Sequence, residues 1–170
     1  MSGTVRRRTR AALGGHRADT RSDGSNAVGG GMISHMDLTL DVANEILRAQ
    51  PFSMLLGARL TSFGDRAATL EVDIREDLLQ QNGYVHGGVL AYAADNAITF
   101  AGGSVIGPDV LTGGFSVDYL APAQGAMLVA HARVVHASSR RATCRCDLYV
   151  VDSTGESTLC AAAQGTVVAR

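Results

Sequence analysis

Lysine and tryptophan are absent from the 170 residues, and aromatic side chains make up only 5% of them. The missing lysine follows from a GC-rich coding sequence, since lysine codons are AT-rich, and carries no mechanistic weight. Cysteine occurs three times, at Cys144, Cys146 and Cys160, too few and too odd in number for a disulfide framework. Cys144 and Cys146 share one face of a strand-like run, where a free thiol acts as a small hydrophobe. Such thiols fit a reducing cytosol, so a cytoplasmic location is expected. No apolar run reaches the roughly 18–20 residues that cross a bilayer, and no membrane partner is expected. The arginine-rich start has no apolar segment behind it, which leaves a secretory signal unsupported. No Cys/His spacing suggests zinc, and His131 and His136, five apart on a strand, are expected on opposite faces. The GGG at residues 29–31 lacks the GK[ST] of a phosphate loop, and there is no G-x-S-x-G elbow. Neither a metal nor a cofactor is expected.

What is present is apolar bulk and glycine. Hydrophobic residues reach 46%, enough to fill a core, and the 20 glycines suggest turns and close backbone approaches. The net charge of -1 is unevenly spread. Residues 1–35 hold six arginines against two aspartates, whereas the remainder holds nine arginines against fourteen acids. A folded body that acidic does not attract a polyanion, which argues against nucleic acid as a partner. Residues 1–35 have no hydrophobic period and read as a disordered extension, or as the product of a start assigned too early, with Met32 or Met36 the true beginning. Residues 36–170 read as one domain.

Within that domain, residues 37–50 have near-helical apolar spacing, with Asp37 or Asp41 as cap and Pro51 as stop. Residues 55–63 and 67–75 read as a hairpin joined at Gly64-Asp65, and Ala68, Leu70, Val72 and Ile74 alternate with polar neighbours. A loop over 76–85 leads into a second helix, 88–102, whose one charge is Asp95. A helix apolar on every side must be buried, and this one is too short to span a membrane. Four strand-like runs follow, at 110–120, 126–137, 141–151 and 157–169. The economical arrangement is an α+β fold in which a curved antiparallel sheet wraps around the buried helix. The open sheet edges predict self-association.

The chemistry concentrates between Gln80 and Thr99. Gly87 and Gly88 open a helix, where backbone N–H groups are unpaired and the field is positive. Side chains removed there either let a ligand oxygen reach those donors, as in an oxyanion hole, or simply relieve crowding. Asp95 lies eight residues after Gly87, roughly along the same face, and Thr99 one turn further. A carboxylate on a buried helix needs a reason, and attack on a polarised acyl carbonyl, with Asp95 as general base or nucleophile, supplies one. The alternatives are a carboxylate satisfied by loop amides or an arginine, and a Thr99 hydroxyl bonded to its own i−4 carbonyl. Tyr92, Phe100 and Phe115 are better explained by core packing than by a pocket.

His86-Gly87-Gly88 followed by Asp95, with Gln80 six residues before the histidine, resembles the hot-dog-fold thioesterases over roughly residues 38–169. The branch it looks most like is that of phenylacetyl-CoA and hydroxybenzoyl-CoA thioesterases. The resemblance implies an acyl-CoA thioesterase with acyl-CoA as substrate. Gly87 N–H would polarise the thioester carbonyl, Gln80 position the carbonyl or the water, and His86 orient the loop. Thr99 and Thr112 would support the water or the Asp95 carboxylate, while Gly88 and Asn82 belong to the substrate-binding loop. Arg140 and Arg141 match a turn close to the coenzyme A phosphates, although two exposed arginines at a strand start need no such role. The family builds each site from two subunits, which implies a homodimer or homotetramer. Two other functions compete: a dehydratase or hydratase on the same fold, and a non-catalytic acyl-CoA sensor. A dehydratase needs His and acid further apart, and a pure binder gains little from Asp95.

Overall fold

The computed structural model describes residues 38–170, so the reading of 1–35 lies outside the described residues, as does Asp37. The first helix, α1 (Leu40–Arg48), is capped by Thr39, whose hydroxyl accepts from Val42 N–H, and not by an aspartate. Pro51 does not merely stop α1. It occupies the first turn of a second short helix, α2 (Pro51–Leu56), ended by Gly57 in the left-handed conformation at φ 71°. The first strand therefore begins four residues later than the apolar pattern suggests. In the hairpin β1 (Arg59–Gly64) and β2 (Ala67–Asp73), Asp65 and Arg66 form the turn, both at positive φ.

The remaining elements are α3 (Gly87–Ile106), β3 (Val110–Tyr119), β4 (Met127–Ala137), β5 (Arg141–Val151) and β6 (Ser157–Ala169). All six strands form one antiparallel sheet in the order β1-β2-β4-β5-β6-β3. The sheet curls around α3, which contacts every strand. This is the hot-dog architecture: a long central helix held in an unclosed antiparallel sheet. Leu70, Val72, Leu128, Leu148, Cys144, Cys146 and Val167 point inward and are fully buried against Ala93, Ala94, Ala97, Ile98 and Ala101 of α3. Each buried Leu or Val contributes about 1.5–3 kcal/mol.

At 20 residues α3 is longer than its sequence pattern indicated, because Gly87 at one end and residues 103–106 at the other continue the helix. By length and composition it could cross a membrane, contrary to the sequence reading; here the sheet covers most of its circumference instead.

Two bulges reset strand parity. In β4 the register shifts between Val134 and His136, which returns His136 to the outer face that His131 occupies. The opposite-face expectation for that pair is therefore wrong, although no cluster of three metal-ligating side chains exists among the described residues. In β3 the shift falls between Thr112 and Gly114, the latter at φ 151°. Thr112 and Phe115, an odd number of residues apart, consequently both face α3. The Thr-Gly-Gly run is the sequence trace of that bulge.

The tightest helix–sheet approach is at Gly102, where an added Cβ would lie 2.6 Å from Val167 Cβ. Gly102→Ala is expected to lower stability by about 1–3 kcal/mol in urea unfolding, despite alanine's higher helix propensity. Combining it with Val167→Ala should recover part of that loss.

Candidate active site at the start and middle of helix α3

The loop before α3 is held as a small β-turn. Leu79 bridges Val85, Gln80 N–H donates to Tyr84 O at 2.8 Å, and Gly83 N–H donates to Gln80 O with Gly83 at φ 78°. Val85 N–H donates to Ala123 O and His86 N–H to Leu78 O, which fixes the entry of the chain into α3. His86 is the N-cap. Its Nδ1 accepts from Gly88 N–H at 2.9 Å, so Nδ1 carries no proton while the cap is made. An added Cβ on Gly88 would sit 3.0 Å from that nitrogen, and one on Gly87 would sit 3.2 Å from the Tyr119 hydroxyl. Crowding thus disfavours a side chain at Gly88, whereas at Gly87 the neighbour is the tip of an exposed tyrosine that can turn away. Gly87 N–H, at the first helical position, has no acceptor among the described residues. The Tyr119 hydroxyl donates to Gly87 O at 3.0 Å.

Asp95 is half-buried, not enclosed. Thr112 Oγ1 donates to Asp95 Oδ1 at 2.6 Å, and Thr99 Oγ1 lies 2.6 Å from Thr112 Oγ1 and 2.8 Å from Asp95 O. These three contacts share two hydroxyl protons. With the Thr112 proton committed to the carboxylate, the Thr99 proton is divided between Thr112 Oγ1 and the backbone carbonyl. The Thr99 bond to its i−4 carbonyl is therefore real, and Thr99 meets Thr112 as well. Asp95 Oδ2 has no hydrogen-bond partner among the described residues.

Asp95 lines a cleft of about 360 Å³ together with Phe52, Ser53, Gly88, Tyr92, Asn96 and Phe115. Tyr92 is buried, stacks edge-to-face on Phe52 at 5.4 Å, and its hydroxyl has no partner meeting hydrogen-bond geometry among the described residues. Burial pushes that hydroxyl above its ordinary range; Ser53 opposes the shift and the Asp95 charge adds to it. Tyr92 is therefore a neutral donor at neutral pH. Phe115 is no core residue, being 38% exposed on the edge strand, whereas Phe100 is buried.

Gln80 and Gly87 open elsewhere, onto a second cleft of about 400 Å³ shared with Tyr84, Leu90, Tyr119 and Pro122. Helical geometry explains the division. Seven residues return to within about 20° of the starting face, but eight leave it by about 80°. Gly88 is the glycine that shares the Asp95 face, and the sequence reading that aligned Gly87 with Asp95 is corrected accordingly. Within one chain, then, Asp95, Thr99, Thr112 and Gly88 come together, while Gln80 and Gly87 form a separate group. His86 borders a further cleft with Asp77 and Leu79, and Asn82 is exposed at the loop tip. Arg140 and Arg141 are exposed at the β4–β5 turn, where Arg140 O accepts from Ala169 N–H. Missing from the sequence reading were Gln50, Phe52 and Ser53. The pairing of Pro51 with Gly57 as start and stop of a short helix was the signal that marks them.

The cysteines are free and buried, and burial pushes Cys144 up to about 11 and Cys146 up to about 12. They are core residues. Loss of the α3 cap in His86→Ala is expected to cost about 0.5–2 kcal/mol in urea unfolding, with His86→Asn retaining most of the stability.

Sequence comparison with curated proteins finds no match. A family profile described as the thioesterase superfamily matches residues 82–156, the stretch from the glycine loop through β5. Among solved structures, a thioesterase family protein of Silicibacter pomeroyi is 27% identical, covering 75% of this chain and 94% of its own, at a TM-score of 0.71. The phenylacetic acid degradation protein PaaI of Thermus thermophilus, solved as a mutant, is 30% identical over 71% of this chain and 100% of its own, at a TM-score of 0.61. The PaaI protein of E. coli, at 19% identity over 75% of this chain and 89% of its own and a TM-score of 0.65, shares the fold. Fold, motif stretch and relatives agree that this chain belongs to the thioesterase superfamily.

Proposed function

We propose that the chain is an acyl-CoA thioesterase, converting water and an acyl-CoA into a carboxylic acid and free coenzyme A. The superfamily supports hydrolysis of acyl thioesters in general. The observation that carries the finer reading is Asp95, the one charge on α3, oriented through Oδ1 by Thr112 and lining an open cleft. A carboxylate so held acts as a general base, taking a proton from water as its oxygen attacks the carbonyl carbon, or attacks that carbon itself. In either case the carbonyl π electrons move onto oxygen, where a helix N-terminal N–H such as that of Gly87 stabilises them. Collapse then breaks the C–S bond, and the coenzyme A thiolate leaves and is protonated; on the second route water then hydrolyses the acyl anhydride formed on Asp95, releasing the acid and restoring the carboxylate.

Gly87 and Gln80 do not share a cleft with Asp95 in one chain, so a second copy supplies them. Phe52 at 57%, Tyr119 at 55% and Leu120 at 55% exposure line the two clefts, and β3 has an unpaired edge. An exposed apolar surface of this kind next to a free strand edge favours self-association, as a homodimer or a homotetramer built from dimers. In that assembly Gln80 positions the carbonyl or the water, His86 holds the glycine turn, and Asn82 and Gly88 border the thioester. Arg140 and Arg141 are placed to meet the coenzyme A phosphates. The spacing from His86 to Asp95 supports a kinship with the phenylacetyl-CoA and hydroxybenzoyl-CoA thioesterases, without fixing the acyl group.

Free-thiol release from a panel of acyl-CoAs tests this. The wild type is expected to turn over at least one thioester, and Asp95→Asn to lower kcat/KM by about 100-fold or more with folding intact. Binding of acyl-CoA with no turnover of any thioester would contradict the enzyme reading and favour a sensor.

A further inference from the structure

A smaller cavity, of about 110 Å³, adjoins the Asp95 cleft, between α1, α3, the end of β1 and the start of β3. Ala43, Ile46, Phe63, Phe100, Gly103 and Val110 form most of its wall, and no charged side chain lines it. Two residues, Gln50 and Asn96, border both this cavity and the Asp95 cleft. Thr99, bonded to the Asp95 carbonyl and in contact with Thr112, lines it as well. The two spaces therefore share a wall beside the carboxylate, with polar side chains between them and a mostly apolar lining beyond.

We propose that this cavity receives the end of the substrate's acyl chain, and that it selects an uncharged acyl group of medium length. The proposal rests on the thioesterase reading and adds to it the substrate class. A charged tail finds no opposite charge among the lining side chains and would bear the cost of an unpaired group. Length follows from two rough measures. A dry apolar cavity of about 150 Å³ holds a six-carbon ring, so the space here takes about four carbons. Thr99 is one turn beyond Asp95, about 6 Å along the axis, which an extended chain covers in roughly five bonds. A carbonyl at Asp95 and a tail filling the cavity thus correspond to about eight to ten carbons in all. The opposed Phe63 and Phe100 rings, edge-to-face at 6.3 Å, form part of the wall that limits further extension.

The test is a kcat/KM series over straight-chain acyl-CoAs from butyryl to dodecanoyl, with phenylacetyl-CoA as an aryl comparator. It is run on the wild type, Gly103→Leu and Phe63→Ala. An added Cβ at Gly103 would meet Val110 Cγ2 at 3.5 Å, an ordinary contact, so leucine there fills the cavity without a clash at the backbone. The wild type is expected to peak at octanoyl to decanoyl. Gly103→Leu should lower the decanoyl-to-butyryl ratio at least tenfold, and Phe63→Ala should move the optimum to longer chains. General damage to the fold would scale all substrates together and leave the ratio in place. Turnover with a profile that neither variant changes, or a wild-type preference for phenylacetyl-CoA, would overturn the proposal and leave the thioesterase reading standing. No turnover of any thioester by the wild type would overturn both.

Discussion

Helix α3 meets the curled sheet through alanine and glycine, and that close approach decides which parts of the helix remain open. Ala93, Ala94, Ala97 and Ala101 leave no room between backbone and strand, and Gly102 brings α3 so near β6 that one methyl group would collide with Val167. With most of its circumference taken by the sheet, α3 keeps one uncovered strip. Gly88, Ala91, Tyr92, Asp95, Asn96 and Thr99 follow one another along it at helical spacing. The polar residues of an otherwise apolar helix lie there because no other line along it can hold them without burying a charge. The short helix α2 and the bulged edge strand β3 then form the two walls of the strip, contributing Phe52 and Ser53 from one side and Thr112 and Phe115 from the other.

Most of the architecture was legible in the amino-acid sequence because hydrophobic period survives tertiary context. The uniformly apolar stretch around Ala93 and Ala97 had to be an enclosed helix, and alternation at Leu70 and Val72 had to be a strand with one wet face. Errors arose where one residue changes the count. The turn of helix around Met54 was hidden by its apolar composition, which a strand and a short helix share. The bulges at Gly113 and Val135 shift parity by one, and periodicity alone does not announce them, although the paired glycines after Thr112 are a trace of the first.

At the site, residue types were legible and their grouping was not. The sequence identified Asp95, Thr99 and Thr112, and the chain brings these together through hydrogen bonds of 2.6–2.8 Å. Linear spacing suggested that Gly87 also faces Asp95, yet the difference between seven and eight residues on a helix is most of a right angle. That angle places Gly87 and Asp95 of one chain in different clefts. We propose that a second copy completes a catalytic centre needing both, a reading that the exposed apolar residues around the clefts and the open edge of β3 support.

Mixed oligomers test this central claim most directly. Asp95→Asn and Gln80→Ala chains, each disabled alone, would be co-produced and thioester hydrolysis compared with that of the separate variants. If each site combines Asp95 of one chain with the loop of another, hybrid dimers carry one site with both defects and one with neither. Activity is then restored to about a quarter of wild type in a random equal mixture. Activity no higher than the mean of the two variants alone would show that each chain builds its site by itself, and would contradict the account.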